Sequence, residues 1–171
     1  GVSRALTHEL VRHRAGFAYS QRSQRFVNEA DSPFVVPPAL TREMGATDEM
    51  RRELEGALET AAESYKKLVS ALEANIPKRA VPYPRDWRKA VRQAARAVLP
   101  NATEIFVTAN VRAWRHFIEM RGASFADWEI RRLAIMVLER LREEAPLLFG
   151  DFTVDDLPDG TQTATPAYAK V

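Results

Sequence analysis

The sequence predicts an α+β protein, mostly helical, forming a single domain with a small sheet. Three observations carry that prediction. Residues 47–75 place apolar side chains on one stripe at helical spacing. Residues 104–109 alternate and are rich in Ile, Phe, Val and Thr, as a strand requires. Two short extended runs near the C-terminus are joined across Asp159-Gly160, the chemistry of a hairpin turn. A chain of 171 residues suffices for one domain with its own core.

The elements follow in order. Val2, Ala5, Leu6, Leu10 and His13 recur at three- to four-residue spacing, predicting a helix from about Ser3 to Arg14 with Ser3 as its cap. No earlier segment supplies a sheet for this helix to cover, so an N-terminal part of the domain is expected to be missing. Ala15 to Val27 reads as an irregular loop with extended character, anchored by Phe17, Tyr19 and Phe26. Pro33, Pro37 and Pro38 make 28–46 a surface excursion. Thr47-Asp48 caps a long helix to about Asn75, with Met50, Leu54, Leu58, Tyr65, Leu68 and Leu72 on its stripe. Pro77, Pro82 and Pro84 interrupt the chain before a helix from about Asp86 to Val98. After the strand at 104–109 come helices over Val111–Met120 and Phe125–Glu144, then a hairpin of 152–157 with 161–165.

At 46% hydrophobic and 28% charged residues, the chain has the composition of a globular protein. It contains no apolar run near the ~18–20 residues of a membrane span, and no signal peptide is legible, so a cytoplasmic location without membrane association is the default. There is no cysteine, which excludes disulfides, thiolate metal sites and a cysteine nucleophile. His8 and His13 stand five residues apart, splayed around a helix, so no metal is expected. The net charge of +2 does not by itself point to nucleic acid. Its distribution is more informative: Arg12, Arg14, Arg22 and Arg25 form one cluster, and Arg112, Arg115 and Arg121 another. Guanidinium clusters suit phosphates, which they bind bidentately.

Three constellations could carry chemistry. Glu9 and Arg12 share a face of the first predicted helix, followed by His13-Arg14 and the polar run Gln21-Arg22-Ser23-Gln24-Arg25. Those residues offer the donors that a phosphate and a base edge require, although a basic helix end meeting the dipole would look similar. Arg96 lies in the last turn before Pro100, which is also a structural place for a cation. Asn110 sits at a strand-to-helix junction, a natural N-cap, while Arg112 and His116 are four apart and face the same way. Trp114 and Phe117 would point to the core.

Four ordered blocks resemble the flavin-dependent thymidylate synthases: 1–14, 20–27, 95–100 and 110–132. The order and rough spacing resemble the family's from residue 1 to about 152. The resemblance implies that Arg12, His13, Arg14, Asn110, Arg112 and His116 bind FAD. It also implies that Glu9, Arg12, Gln21, Arg22, Ser23, Gln24, Arg25 and Arg96 bind dUMP. Arg121 matches the arginine set against the pyrimidine ring, where it stabilises ionisation at N3 and so activates C5. The implied reaction is reductive methylation of dUMP at C5, with methylenetetrahydrofolate and NADPH as co-substrates, in a homotetramer whose sites draw on several subunits. The absence of cysteine agrees, because the other thymidylate synthase class attacks the ring with a thiolate.

Two departures stand out. The family's motif has seven residues between Arg-His-Arg and its serine, whereas eight, Ala15 to Arg22, precede Ser23 here. The family also has an upstream strand region with a flavin-contacting histidine, and this chain begins after it. The longer spacer motivates an alternative substrate, UMP, as in nucleoside-antibiotic pathways. A reading from another class is an arginine-rich nucleic-acid-binding module.

Overall fold

The computed structural model describes residues 2–21, 28–30, 34–81, 83–100, 102–103, 105–158 and 160–169. The chain divides into two compact units. The first comprises Gly1–Arg4, Gln21–Val35 and Thr47–Glu104, and the second Ala5–Ser20, Val36–Ala46 and Ile105–Val171. The architecture is α+β, as the sequence predicts.

In the first unit, strand β1 (Val2–Ser3) pairs antiparallel with β3 (Ala102–Thr103), Ser3 opposite Ala102. Ser3 is therefore a strand residue, and the helix begins after it at Arg4. Helix α2 spans Asp48–Asn75, and the Thr47 side chain accepts from the Met50 amide, satisfying one of the open donors of the first turn. Its stripe is only partly covered: Tyr65 is buried, while Met50 and Leu68 are exposed. Tyr65 packs with Ala95 and Leu99 in a small core, with Val69 and Leu72 against it. Helix α3 (Trp87–Ala95) supplies Val91 and Ala95, and the last turn tightens into a 3-10 turn over Arg96–Val98. The Trp87 indole donates to the Ile76 carbonyl at 2.9 Å, closing the proline-rich connection between the helices.

The second unit is built on helices α4 (Val111–Arg121) and α5 (Trp128–Glu144) and the hairpin of β5 (Phe152–Asp156) with β6 (Gln162–Pro166). Its core includes Leu6 and Leu10 of α1 (Arg4–Leu10), Phe117 and Ile118 of α4, and Ile130, Ala134 and Leu138 of α5. These α4 and α5 positions recur at three- to four-residue spacing, which puts them on one buried face. Strand β4 (Ile105–Ala109) leads into α4 and is hydrogen-bonded to β2 (Phe17–Gln21). The hairpin is antiparallel with Val154 opposite Ala164, as its turn chemistry predicts.

Polar contacts fix the hairpin to both helices. The buried Arg131 of α5 donates to the Ser124 carbonyl at 2.5 Å and to Thr161 Oγ1 at 2.6 Å. At the end of α4, the Gly122 carbonyl accepts from the Ala164 amide at 2.8 Å and from the Thr163 hydroxyl at 3.0 Å. A Cβ on Gly122 would stand 2.9 Å from that of Ala164, so the close approach requires glycine.

Arg115 forms the remaining tie. It donates through both terminal nitrogens to Asp151, at 2.5 and 2.8 Å, and to the Leu148 carbonyl of the short helix α6 (Pro146–Phe149). The hydrogen bond from Arg115, with its charge, holds the Asp151 carboxyl below the usual carboxylate range. The sequence groups Arg115 with phosphate-seeking arginines; the structure commits it to a structural fork instead. Asp151→Ala is expected to lower the unfolding free energy by about 2 kcal/mol, the scale of hydrogen bonds to charged groups. Arg115→Met/Asp151→Ala should recover part of that loss by removing the stranded cation. Denaturant titration of both variants measures the difference.

Candidate functional site

The site in the second unit starts where α1 stops. The predicted helix to Arg14 ends at Leu10, and the chain leaves through turn bonds from the Arg12 amide to the Glu9 carbonyl and from the His13 amide to the Leu10 carbonyl. The Tyr19 hydroxyl lies 2.8 Å from the Leu10 carbonyl and 2.5 Å from that of His13. Its one proton is shared between a helix-terminal acceptor and the carbonyl of the turn beyond it. Arg12 consequently lies beyond the helix that carries Glu9, so the two do not share the helical face that the spacing predicts. Arg12 and Arg14 are exposed on either side of the half-buried His13.

Glu9 is held instead by Arg121, 112 residues on in the sequence. Arg121 Nη1 donates to Glu9 Oε2 at 2.7 Å, and Arg121 Nε donates to His13 Nε2 at 2.9 Å. These bonds engage two different nitrogens of one planar fork, so they fix its plane as well as its position. For His13 Nε2 to accept, the ring must be neutral with its proton on Nδ1. Burial, then the charge of Arg121, then His116, lowers the His13 pKa from 6.5 to about 4. The ring also meets Phe117 edge-on at 5.2 Å and Phe17 at 5.9 Å, in an aromatic group that includes Trp114. Trp114 and Phe117 thus turn inward, as the sequence predicts.

Beside this cluster lies a cleft of about 450 Å³ whose lining includes Gly16, Asn110, Arg112, His116, Glu119 and Tyr168. The Asn110 side chain accepts from the Ala113 amide at 2.9 Å, making it the N-cap of α4. Arg112 and His116 then fall four residues apart on the exposed side of α4 and share the cleft. His116 is also 5.9 Å from His13, ring to ring, so the cleft and the Arg121 cluster are neighbours. A larger cleft of about 610 Å³, between α5, the segment around Met44 and the hairpin, contains none of the predicted site residues. Among the described residues, no group of three or more His, Asp or Glu is placed to hold a metal ion, and no helix is long and apolar enough to cross a membrane.

The structure therefore gathers Glu9, His13 and Arg121 in one cluster, and Asn110, Arg112 and His116 around one cleft. Gln21 ends β2, and Arg96 opens the 3-10 turn after α3, half-buried in the first unit. Arg22, Ser23, Gln24 and Arg25 lie outside the described residues. Sequence reasoning missed Tyr19 and Gly16 as site-forming residues. The arginine-alanine-glycine run was a turn signal that could have found Gly16, whereas Tyr19 acts through a contact that no local pattern records.

Comparison with known proteins places the chain in a family. Residues 1–147 match the family model described as thymidylate synthase complementing protein. The chain is 51% identical over 171 residues to a flavin-dependent thymidylate synthase of Mycobacterium avium (strain 104), covering 99% of this chain and 66% of that protein. It is equally similar, over the same shares, to the flavin-dependent thymidylate synthase of Mycobacterium tuberculosis (strain ATCC 25618 / H37Rv). A protein of that name from Mycobacteroides abscessus is 50% identical over 166 residues, 96% of this chain and 64% of its own. The chain thus spans about two thirds of the length of the curated relatives it matches.

The neutral His13 gives a pH signature. Folding holds its pKa below the unfolded value, so the unfolded state takes up the proton first as pH falls. Its contribution to stability is complete above pH 6.5 and is lost between there and about 4. His13→Gln, whose amide oxygen can still accept from Arg121, should flatten that part of the profile of melting temperature against pH. An unchanged slope would show that His13 titrates as an ordinary exposed imidazole.

Proposed function

Because the chain belongs to the family of thymidylate synthase complementing proteins, we propose that it acts as a flavin-dependent thymidylate synthase, methylating dUMP at C5 to dTMP. One observation supports this reading above the others. Arg121 is held by Glu9 and a neutral His13, beside a cleft bearing Arg112 and His116. The activity, nucleotide and cofactor belong to the proposal, as do NADPH and methylenetetrahydrofolate as co-substrates and a homotetramer with shared sites.

The chemistry of the cleft fits a flavin nucleotide. Exposed Arg112 offers a fixed cation for a phosphate, His116 an imidazole, and the start of α4 a positive helix end. Arg12 and Arg14 add exposed guanidiniums on either side of His13. Bound reduced flavin would supply the hydride, and the folate the one-carbon unit.

The remaining work falls to this chain's own residues. Arg121 presents a cation that cannot lose its proton, so it can favour the ionised form of a uracil ring at N3 throughout the neutral range. With Nε and Nη1 already engaged, its fork is preorganised and has little to reorganise when charge develops on the pyrimidine. His13 accepts from Arg121 and, being neutral, does not add a competing positive charge there. Glu9 balances the guanidinium before a nucleotide arrives. The proposed nucleotide contacts of Gln21, Arg22, Ser23, Gln24, Arg25 and Arg96 rest on the resemblance of their motifs.

Two alternatives receive no support. The relatives are named for thymidylate, the product of methylating the deoxynucleotide, which favours dUMP over UMP. A nucleic-acid groove would need a surface stripe of free arginines, whereas Arg115 and Arg121 are each bound to a carboxylate.

Arg121→Ala is expected to reduce conversion of dUMP to dTMP by about a hundredfold, the loss typical of one preorganised charge contact, while the protein still purifies with flavin absorbance. Turnover near wild type would remove Arg121 from the reaction. Colourless wild-type protein that fails to take up added FAD would remove the flavin reading as a whole.

A further inference from the structure

The eight-residue spacer between Arg14 and Ser23 is one longer than the family motif that the chain resembles, and the structure has a place where a residue can be absorbed. Arg14 to Phe17 forms a turn, with the Phe17 amide donating to the Arg14 carbonyl at 3.4 Å. Gly16 occupies its third position with φ of 77°, a conformation that glycine adopts without steric cost. From Phe17 onward the chain runs as regular strand to Gln21. Among the described residues of the spacer, the departure from extended backbone is therefore confined to this turn.

The turn also touches the start of α4. The Gly16 carbonyl accepts from the Asn110 amide at 3.2 Å. A Cβ on Gly16 would lie 2.5 Å from Asn110 Nδ2 and 3.0 Å from the Ala113 Cβ. Asn110 caps α4 through the Ala113 amide, so Gly16 is in close contact with both partners of the capping bond. Arg112 stands in the first turn of α4 and His116 one turn further on, and Gly16, Asn110, Ala113, Arg112 and His116 line the same cleft.

We propose that Gly16 is a positioning residue for the cleft: the turn that absorbs the longer spacer latches Asn110, and thereby fixes where Arg112 and His116 stand. The proposal rests on the reading of that cleft as a flavin site. It has two consequences. The extra residue is absorbed before β2, so the strand's course from Phe17 to Gln21 stays regular. A side chain at Gly16 is felt through Asn110 at the flavin and not at the nucleotide.

The test uses the full-length protein freed of flavin and titrated with FAD, following quenching of flavin fluorescence. Gly16→Ala should weaken FAD binding by about tenfold or more, the scale on which disturbing the outer partners of ligand residues is felt. Gly45→Ala is the control for backbone strain, since Gly45 has φ of 84° with nothing within 4 Å of an added Cβ. It should bind FAD as wild type does. Gly16→Ala/Asn110→Ala removes the nearest group that the new methyl would strike and leaves the Ala113 Cβ at 3.0 Å, so it should lose less FAD affinity than the two single variants summed, a non-additive cycle. Titration with dUMP should give the wild-type affinity in Gly16→Ala, which also reports that the variant is folded. Wild-type FAD affinity in Gly16→Ala overturns the proposal, as does additivity in the cycle. Loss of FAD and dUMP binding together also overturns it, because the effect would then be global unfolding. Failure of the wild-type protein to bind FAD would instead overturn the flavin reading, a result recognisable before any variant is made.

Discussion

The guanidinium of Arg121 is the constraint on which the site depends. It sits in the last turn of α4, where Gly122 ties the helix end to β6 and the Glu9 and His13 side chains engage two of its three nitrogens. Each partner contributes something different. Glu9 supplies the compensating charge for a cation that is only partly exposed. His13 supplies a neutral acceptor, and it stays neutral because burial and the cation itself disfavour its proton. The aromatic residues around His13 maintain that environment, so the packing of Phe17 and Phe117 bears on the electrostatics of Arg121 through His13.

This arrangement suits chemistry in which the protein provides no covalent nucleophile. The chain has no cysteine, and two partly buried ion pairs, Arg115–Asp151 and Arg121–Glu9, fix charge in the second unit. The arginines divide between two tasks. Arg115 and Arg131 hold α4, α5 and the hairpin together through carboxylate, carbonyl and hydroxyl partners. Arg112 and Arg121 are carried on the helix so braced, one in the cleft and one at the cluster.

Much of this was legible in the sequence because the signals were local. Caps and periodicity found α2, α4 and α5, and a turn dipeptide found the hairpin. The four-residue spacing of Arg112 and His116 placed both at one cleft. The failures came from contacts distant in sequence. The first helix was drawn too long because its end is set by Tyr19, nine residues beyond Leu10. The spacing sets Glu9 and Arg12 on one helical face, and nothing local reveals the partner of Glu9, 112 residues away. Arg115 was grouped with ligand-binding arginines because its carboxylate, Asp151, stands 36 residues on. Spacing showed which residues share a helix face; the tertiary fold decided which of them are committed to structure.

The central claim is that the oriented Arg121 stabilises the ionised pyrimidine. Its most direct measurement is magnetic resonance of dUMP, isotope-labelled at N3 and bound to the full-length protein at neutral pH. The account predicts that bound dUMP lacks its N3 proton, seen as loss of the one-bond nitrogen–proton coupling, and that the coupling returns in the complex with Arg121→Ala. A bound nucleotide that keeps its N3 proton beside wild-type Arg121 would contradict it.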